Sequence, residues 1–111
     1  MTINDLKNLG ANVEEGVMRC AGNESFYLML VPKALDVSRY DALEKALEEK
    51  DFKAAFEAAH ALKGVLANLA LTPILAPICE ITELLRPMQE VHCEELLSKI
   101  KEEREKFVAL L

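Results

Sequence analysis

Within the stretch AAHALKGVLANLA, residues 58–70, His60, Lys63, Gly64 and Ala67 follow one another at helical spacings. On a helix these positions form a single stripe. One imidazole, one ammonium group and two very small residues make an unusual surface. Gly64 costs about 1 kcal/mol relative to Ala in a helix interior, so helix stability does not account for it. It does clear space: with no side chain one turn beyond His60, a partner can come close to the ring. Ala67 extends the clearing by another turn. Lys63 is a cation placed to steady an anionic group that approaches or joins the imidazole. The chemistry this favours is that of a nucleophilic histidine on an open helix surface, prepared to carry a phosphoryl group. Phosphoryl transfer has a loose transition state and asks mainly for positioning and charge neutralisation, so a sparse site suffices.

A stripe of this kind needs a rigid helix beneath it. Asp51 is a good cap for one running from Phe52 to about Ala70. At about 100° per residue, Phe52, Ala55, Phe56, Ala59, Leu62, Leu66 and Leu69 form its core face, and the histidine stripe lies roughly 120° away. Glu57, Ala61 and Asn68 turn further toward solvent. Elsewhere the helical period also dominates. Asn12, with Glu15 as a capping-box partner, opens a short helix ending near Gly22. Asn23 caps a second, whose apolar face is Phe26, Tyr27, Leu30 and Ala34, and which Pro32 should kink or shorten. Ser38 opens a helix with Leu43, Ala46 and Leu47 inside. Thr72 followed by Pro73 starts another, running to about Arg86 and Pro87. The last, from about Glu90 to Leu110, carries Val91, Leu96, Leu97, Ile100, Phe107 and Leu110.

No segment alternates with period two for long enough to make a strand. The longer helices, about 38–50, 51–70, 72–86 and 89–110, are separated by short turns, which make consecutive helices antiparallel neighbours. The expectation is one all-α domain over residues 1–111. It comprises an antiparallel up-and-down four-helix bundle over 38–111 and short N-terminal covering helices within 1–37.

The composition narrows the function. A net charge of −6 argues against nucleic acid as a partner, since phosphate backbones need a basic surface. The longest uncharged run, GVLANLALTPILAPIC, is too short and too broken by Asn68, Pro73 and Pro77 to span a bilayer. Three cysteines, Cys20, Cys79 and Cys93, with no C-x-x-C spacing, read as reduced thiols of a cytoplasmic protein. The N-terminus lacks the basic and apolar regions of a signal peptide. The initiating Met and the absence of a linker point to a free-standing chain, expected to be a monomer. A metal site from His60, Cys79, His92 and Cys93 can be imagined, but their spacing matches no zinc pattern. There is neither a P-loop nor a glycine-rich kinase loop, so the chain is no self-sufficient kinase and needs an upstream donor.

The segment HALKGVLANLA resembles the motif of the histidine-containing phosphotransfer (HPt) domain: His-x-Leu-Lys-Gly, then a small residue and Asn-Leu-Gly or similar. His60, Leu62, Lys63, Gly64, Ala67, Asn68 and Leu69 match in place. The segments LTPI and NVEEGVMRCAGNESFYLMLV are also similar to common versions of the family, so the resemblance covers nearly the whole chain. It implies a carrier in a multistep phosphorelay, taking a phosphoryl group from the aspartyl phosphate of one receiver domain and giving it to an aspartate of another. His60 would be the phosphorylated residue, Lys63 would steady the phosphoryl group, and Gly64 would permit docking. The partners would be receiver domains of response regulators or hybrid histidine kinases. The receiver would bring Mg²⁺ and its acidic pocket, leaving no cofactor and no metal to this chain. Two departures stand out. Ala70 occupies a position where the family often has Gly. Thr82, with Glu83 beside it, falls near the place of a polar residue that in some members holds the other imidazole nitrogen. The competing reading is a helical adaptor that binds a signalling partner without carrying phosphate, for which the His60 and Lys63 pair would be unnecessary.

Overall fold

The computed structural model describes residues 1–111 and contains seven helices and no strand. In chain order they are α1 (Ile3–Asn8), α2 (Val13–Arg19), α3 (Glu24–Ala34), α4 (Val37–Glu48), α5 (Phe52–Asn68), α6 (Thr72–Leu85) and α7 (Glu94–Val108). The four longer C-terminal helices form an up-and-down antiparallel bundle in which α4 packs on α5, α5 on α6 and α6 on α7. The ring closes through side chains. Lys101 of α7 bonds Glu44 of α4 at 2.6 Å. Arg104 donates from Nε to the Leu35 carbonyl at 2.8 Å and lies over the Tyr40 ring at 5.2 Å. Aliphatic side chains fill the interior: Leu43, Leu62, Leu66, Ile74, Ile78, Ile81, Leu85 and Ile100 are each no more than 1% exposed.

The turns at both ends of α5 follow one design. After α4, the Asp51 N–H donates to the Ala46 carbonyl at 2.9 Å and the Lys50 N–H to Leu47 at 3.1 Å. After α5, the Leu71 N–H donates to Leu66 and the Ala70 N–H to Ala67, each at 3.1 Å. This is the Schellman closure, which satisfies the last carbonyls of a helix and demands a left-handed residue just past its end. Lys50 and Ala70 take that role, at φ 56° and 52°. The conformation explains why glycine suits position 70, and here alanine fills it.

The N-terminal helices clamp the far end of α5. The buried Tyr27 hydroxyl donates to the Leu69 carbonyl at 2.8 Å, and the Asn12 N–H donates to the Ala70 carbonyl at 2.9 Å. Gly16 makes this possible, because a Cβ there would lie 2.3 Å from the Tyr27 ring and 2.7 Å from the Leu69 oxygen.

Three expectations need correction. First, α1 is an additional helix, held by a reciprocal capping box between Thr2 and Asp5. Second, α3 buries Tyr27, Val31 and Ala34, whereas Phe26 is 43% exposed and Leu30 only half-buried. The need to bring the Tyr27 hydroxyl to a buried acceptor sets that rotation. Pro32 lies inside α3, which ends two residues later. Third, α7 begins at Glu94 rather than near Glu90. Pro87 has no N–H to extend α6, and Met88 turns left-handed at φ 55°. Val91 and the buried Cys93 then line a cleft with Leu47 and Phe52, so the segment that could have started the helix instead covers the bundle end.

The histidine-bearing face of α5 and α6

Asp51 accepts from the Ala54 N–H at 3.1 Å and starts α5. Ala55, Ala59, Leu62, Leu66 and Leu69 are buried, and this fixes the rotation of the helix. His60 and Gly64 then face solvent, while Lys63 and Ala67 are half-buried beside them. All four lie on one side of α5, as their spacing requires. A Cβ built on Gly64 meets nothing within 4 Å. The fold therefore makes no steric demand for glycine at 64, in contrast to Gly16. The space before Gly64 is open.

Three residues missing from the stripe also belong to this face. Phe56, one turn before His60, is half-buried rather than core, and its ring stacks on the imidazole with centroids 5.7 Å apart and planes 20° from parallel. Arg86, just past the end of α6, places its guanidinium 5.4 Å from the Phe56 centroid. Glu83 accepts from Arg86 through both carboxylate oxygens, at 2.8 Å from Nε and 3.0 Å from Nη2. That hydrogen-bonded guanidinium, with the Lys63 charge adding to it, holds the Glu83 carboxyl below the usual carboxylate range. Helical spacing alone could have found Phe56, since residues four apart are neighbours. Arg86 and Glu83 needed the register between α5 and α6.

Thr82, near the place of an imidazole partner, is fully buried and donates to the Ile78 carbonyl at 2.6 Å. Glu83 is occupied by Arg86. The side chain that steadies His60 within the chain is Phe56, through ring stacking. His60, Cys79, His92 and Cys93 do not converge, and no group of three or more His, Cys, Asp or Glu side chains is arranged to hold a metal ion.

The fold is thus a helical bundle that displays a histidine on the open side of a central helix, with Lys63 and Gly64 beside it. Comparison with protein families makes this specific. The family model described as Hpt domain matches residues 38–109, more than half of the chain, and the chain belongs to that family. Hpt domains are phosphorelay phosphocarriers rather than kinases. The match covers the bundle helices and leaves α1–α3 outside it. No curated protein and no solved structure matches the chain. No helix is long and apolar enough to cross a membrane.

Proposed function

We propose that the chain accepts a phosphoryl group on His60 from the aspartyl phosphate of one receiver domain and passes it to an aspartate of another. The observation that carries this reading is the exposed His60 ring beside a Gly64 whose missing side chain nothing in the fold requires to be missing. In the accepting step a ring nitrogen lone pair attacks phosphorus. The N–P bond forms as the acyl phosphate O–P bond breaks, and the donor aspartate leaves as a carboxylate. The donating step reverses these roles. Lys63 neutralises phosphoryl charge as it arrives, the main electrostatic task in such a loose transition state. Gly64 and Ala67 leave room for the receiver surface. Mg²⁺ would come with the receiver's own acidic pocket, with no cofactor supplied by this chain and no phosphoryl donor made by it. Two buried cysteines and one half-buried one, all unpaired, support a cytoplasmic setting, and the carrier is expected to act as a monomer.

The test is transfer from a purified phosphorylated receiver. Acid-labile, base-stable label should appear on the wild type and be absent from the His60→Gln variant. Label persisting in that variant would refute the assignment of His60. Equal binding of receiver to both proteins, with no label ever transferred, would favour the adaptor reading instead.

A further inference from the structure

Three sides of the bundle are closed by helix packed on helix, α4 on α5, α5 on α6 and α6 on α7. The fourth side, between α7 and α4, is spanned by the long side chains of Lys101 and Arg104 instead. At one end of that seam a cleft of about 360 Å³ opens between the end of α4, the start of α5, the segment leading into α7 and α7 itself. Its size falls within the range of small-molecule sites. Leu47, Phe52, Val91 and Leu97, all half-buried, and the buried Cys93 give it an apolar lining. Glu48, Lys50, Glu90 and Glu94 stand exposed at its mouth, with Glu44 half-buried among them. The mouth is acidic, since the other lining side chain is the exposed His92 imidazole. Glu44 is held by Lys101 at 2.6 Å and Glu90 by Lys50 at 3.6 Å, while Glu94 lies 3.8 Å from His92 Nδ1. Glu48 is left without a charged partner.

We propose that this cleft binds a small amphipathic cation, an organic ammonium carried on an apolar body. The apolar lining takes the body out of water, which supplies the part of the affinity that is blind to charge. Glu48 accepts from the ammonium group at the mouth, which supplies the preference for a cation. A neutral ligand of the same shape gains only the first part, and an anionic one is repelled by the same carboxylates. No residue of the His60 stripe lines the cleft, so the site is separate from the phosphotransfer face and does not depend on it.

The test is a titration of the full chain with three probes of one shape, phenethylammonium, phenylethanol and phenylacetate. Binding is read from the methyl NMR signals of Leu47, Val91 and Leu97. Phenethylammonium should shift these signals saturably and bind about threefold more tightly than the alcohol at low salt, the size an exposed charge pair allows. Phenylacetate should bind most weakly. The lead of the ammonium over the alcohol should shrink in about 1 M salt. Glu48 is exposed, so Glu48→Gln should keep the fold. That variant should bind phenethylammonium about threefold less tightly, with the alcohol unaffected. Absence of a saturable shift at the three residues overturns the proposal. So does binding of the alcohol or of phenylacetate as tight as that of the ammonium. An ammonium affinity unchanged in Glu48→Gln overturns it as well, because Glu48 would then play no part.

Discussion

The Tyr27 hydroxyl donates a buried 2.8 Å hydrogen bond to the Leu69 carbonyl, at the end of the helix that carries His60. It joins α3, outside the matched Hpt region, to the closing turn of α5, inside it. Replacing Tyr27 by Phe leaves that carbonyl buried without its partner, at a cost of about 1–2 kcal/mol. Gly16→Ala should cost more, at least about 2 kcal/mol, because its Cβ meets both the ring and the carbonyl. Urea unfolding should show both midpoints lowered and the slope unchanged.

Alkaline pH should unfold the protein through its two tyrosines. Burial pushes the Tyr27 and Tyr40 hydroxyls up from 10.0 to about 12. Both groups are neutral when protonated, and their folded values exceed their unfolded ones. Their contribution is therefore complete below pH 10 and is lost as pH rises toward about 12. Tyrosinate absorbance should stay low up to the alkaline transition and then rise together with the loss of helical circular dichroism. Titration of either ring at about pH 10 in the folded state would contradict this.

Lys50→Gly should raise stability by about 0.5–1 kcal/mol. Lys50 sits at φ 56° just past α4, where glycine escapes the steric cost of the left-handed region. The ion pair it gives up, to Glu90 at 3.6 Å, joins two exposed side chains and contributes little. Thermal unfolding is the check, with a rise in Tm expected. Ala70 sits in the same conformation, but it is only 4% exposed and its carbonyl is held by the Asn12 N–H, so the exposed Lys50 is the cleaner site for this test.

Gly64 offers a test that separates fold from docking. Gly64→Ala should stabilise α5 by about 1 kcal/mol, since helix propensity improves and the new Cβ meets nothing. Gly64→Gln should not lower Tm. It should nevertheless slow phosphoryl transfer from a receiver at least about tenfold, because the longer side chain projects where a partner must approach. Labelling by phosphoramidate, a small donor, should persist. Unimpaired transfer from the receiver would refute the clearing.

Much of α5 was legible from residue order alone. Its period of 3.6 places Ala55, Ala59, Leu62 and Leu66 inward, and all four are buried. The same arithmetic turns His60 outward without any knowledge of what α5 packs against. The Schellman turns explain the glycine preference at 70 only once φ is known. Phe26 and Tyr27 are neighbours of similar size, and nothing local says which points inward. The Leu69 carbonyl decides it, from 42 residues away.

The site divides along the same line. The sequence by itself determined the stripe of His60, Lys63, Gly64 and Ala67, because positions three and four apart on one helix share a face whatever surrounds it. Only the tertiary structure brought Arg86 over Phe56 and Glu83 into the field of Lys63. Those relationships depend on how α6 is set against α5 by the turn at 69–71 and by the burial of Ile74, Ile78 and Ile81. Packing of distant apolar side chains fixes that register, and no spacing along a single helix encodes it.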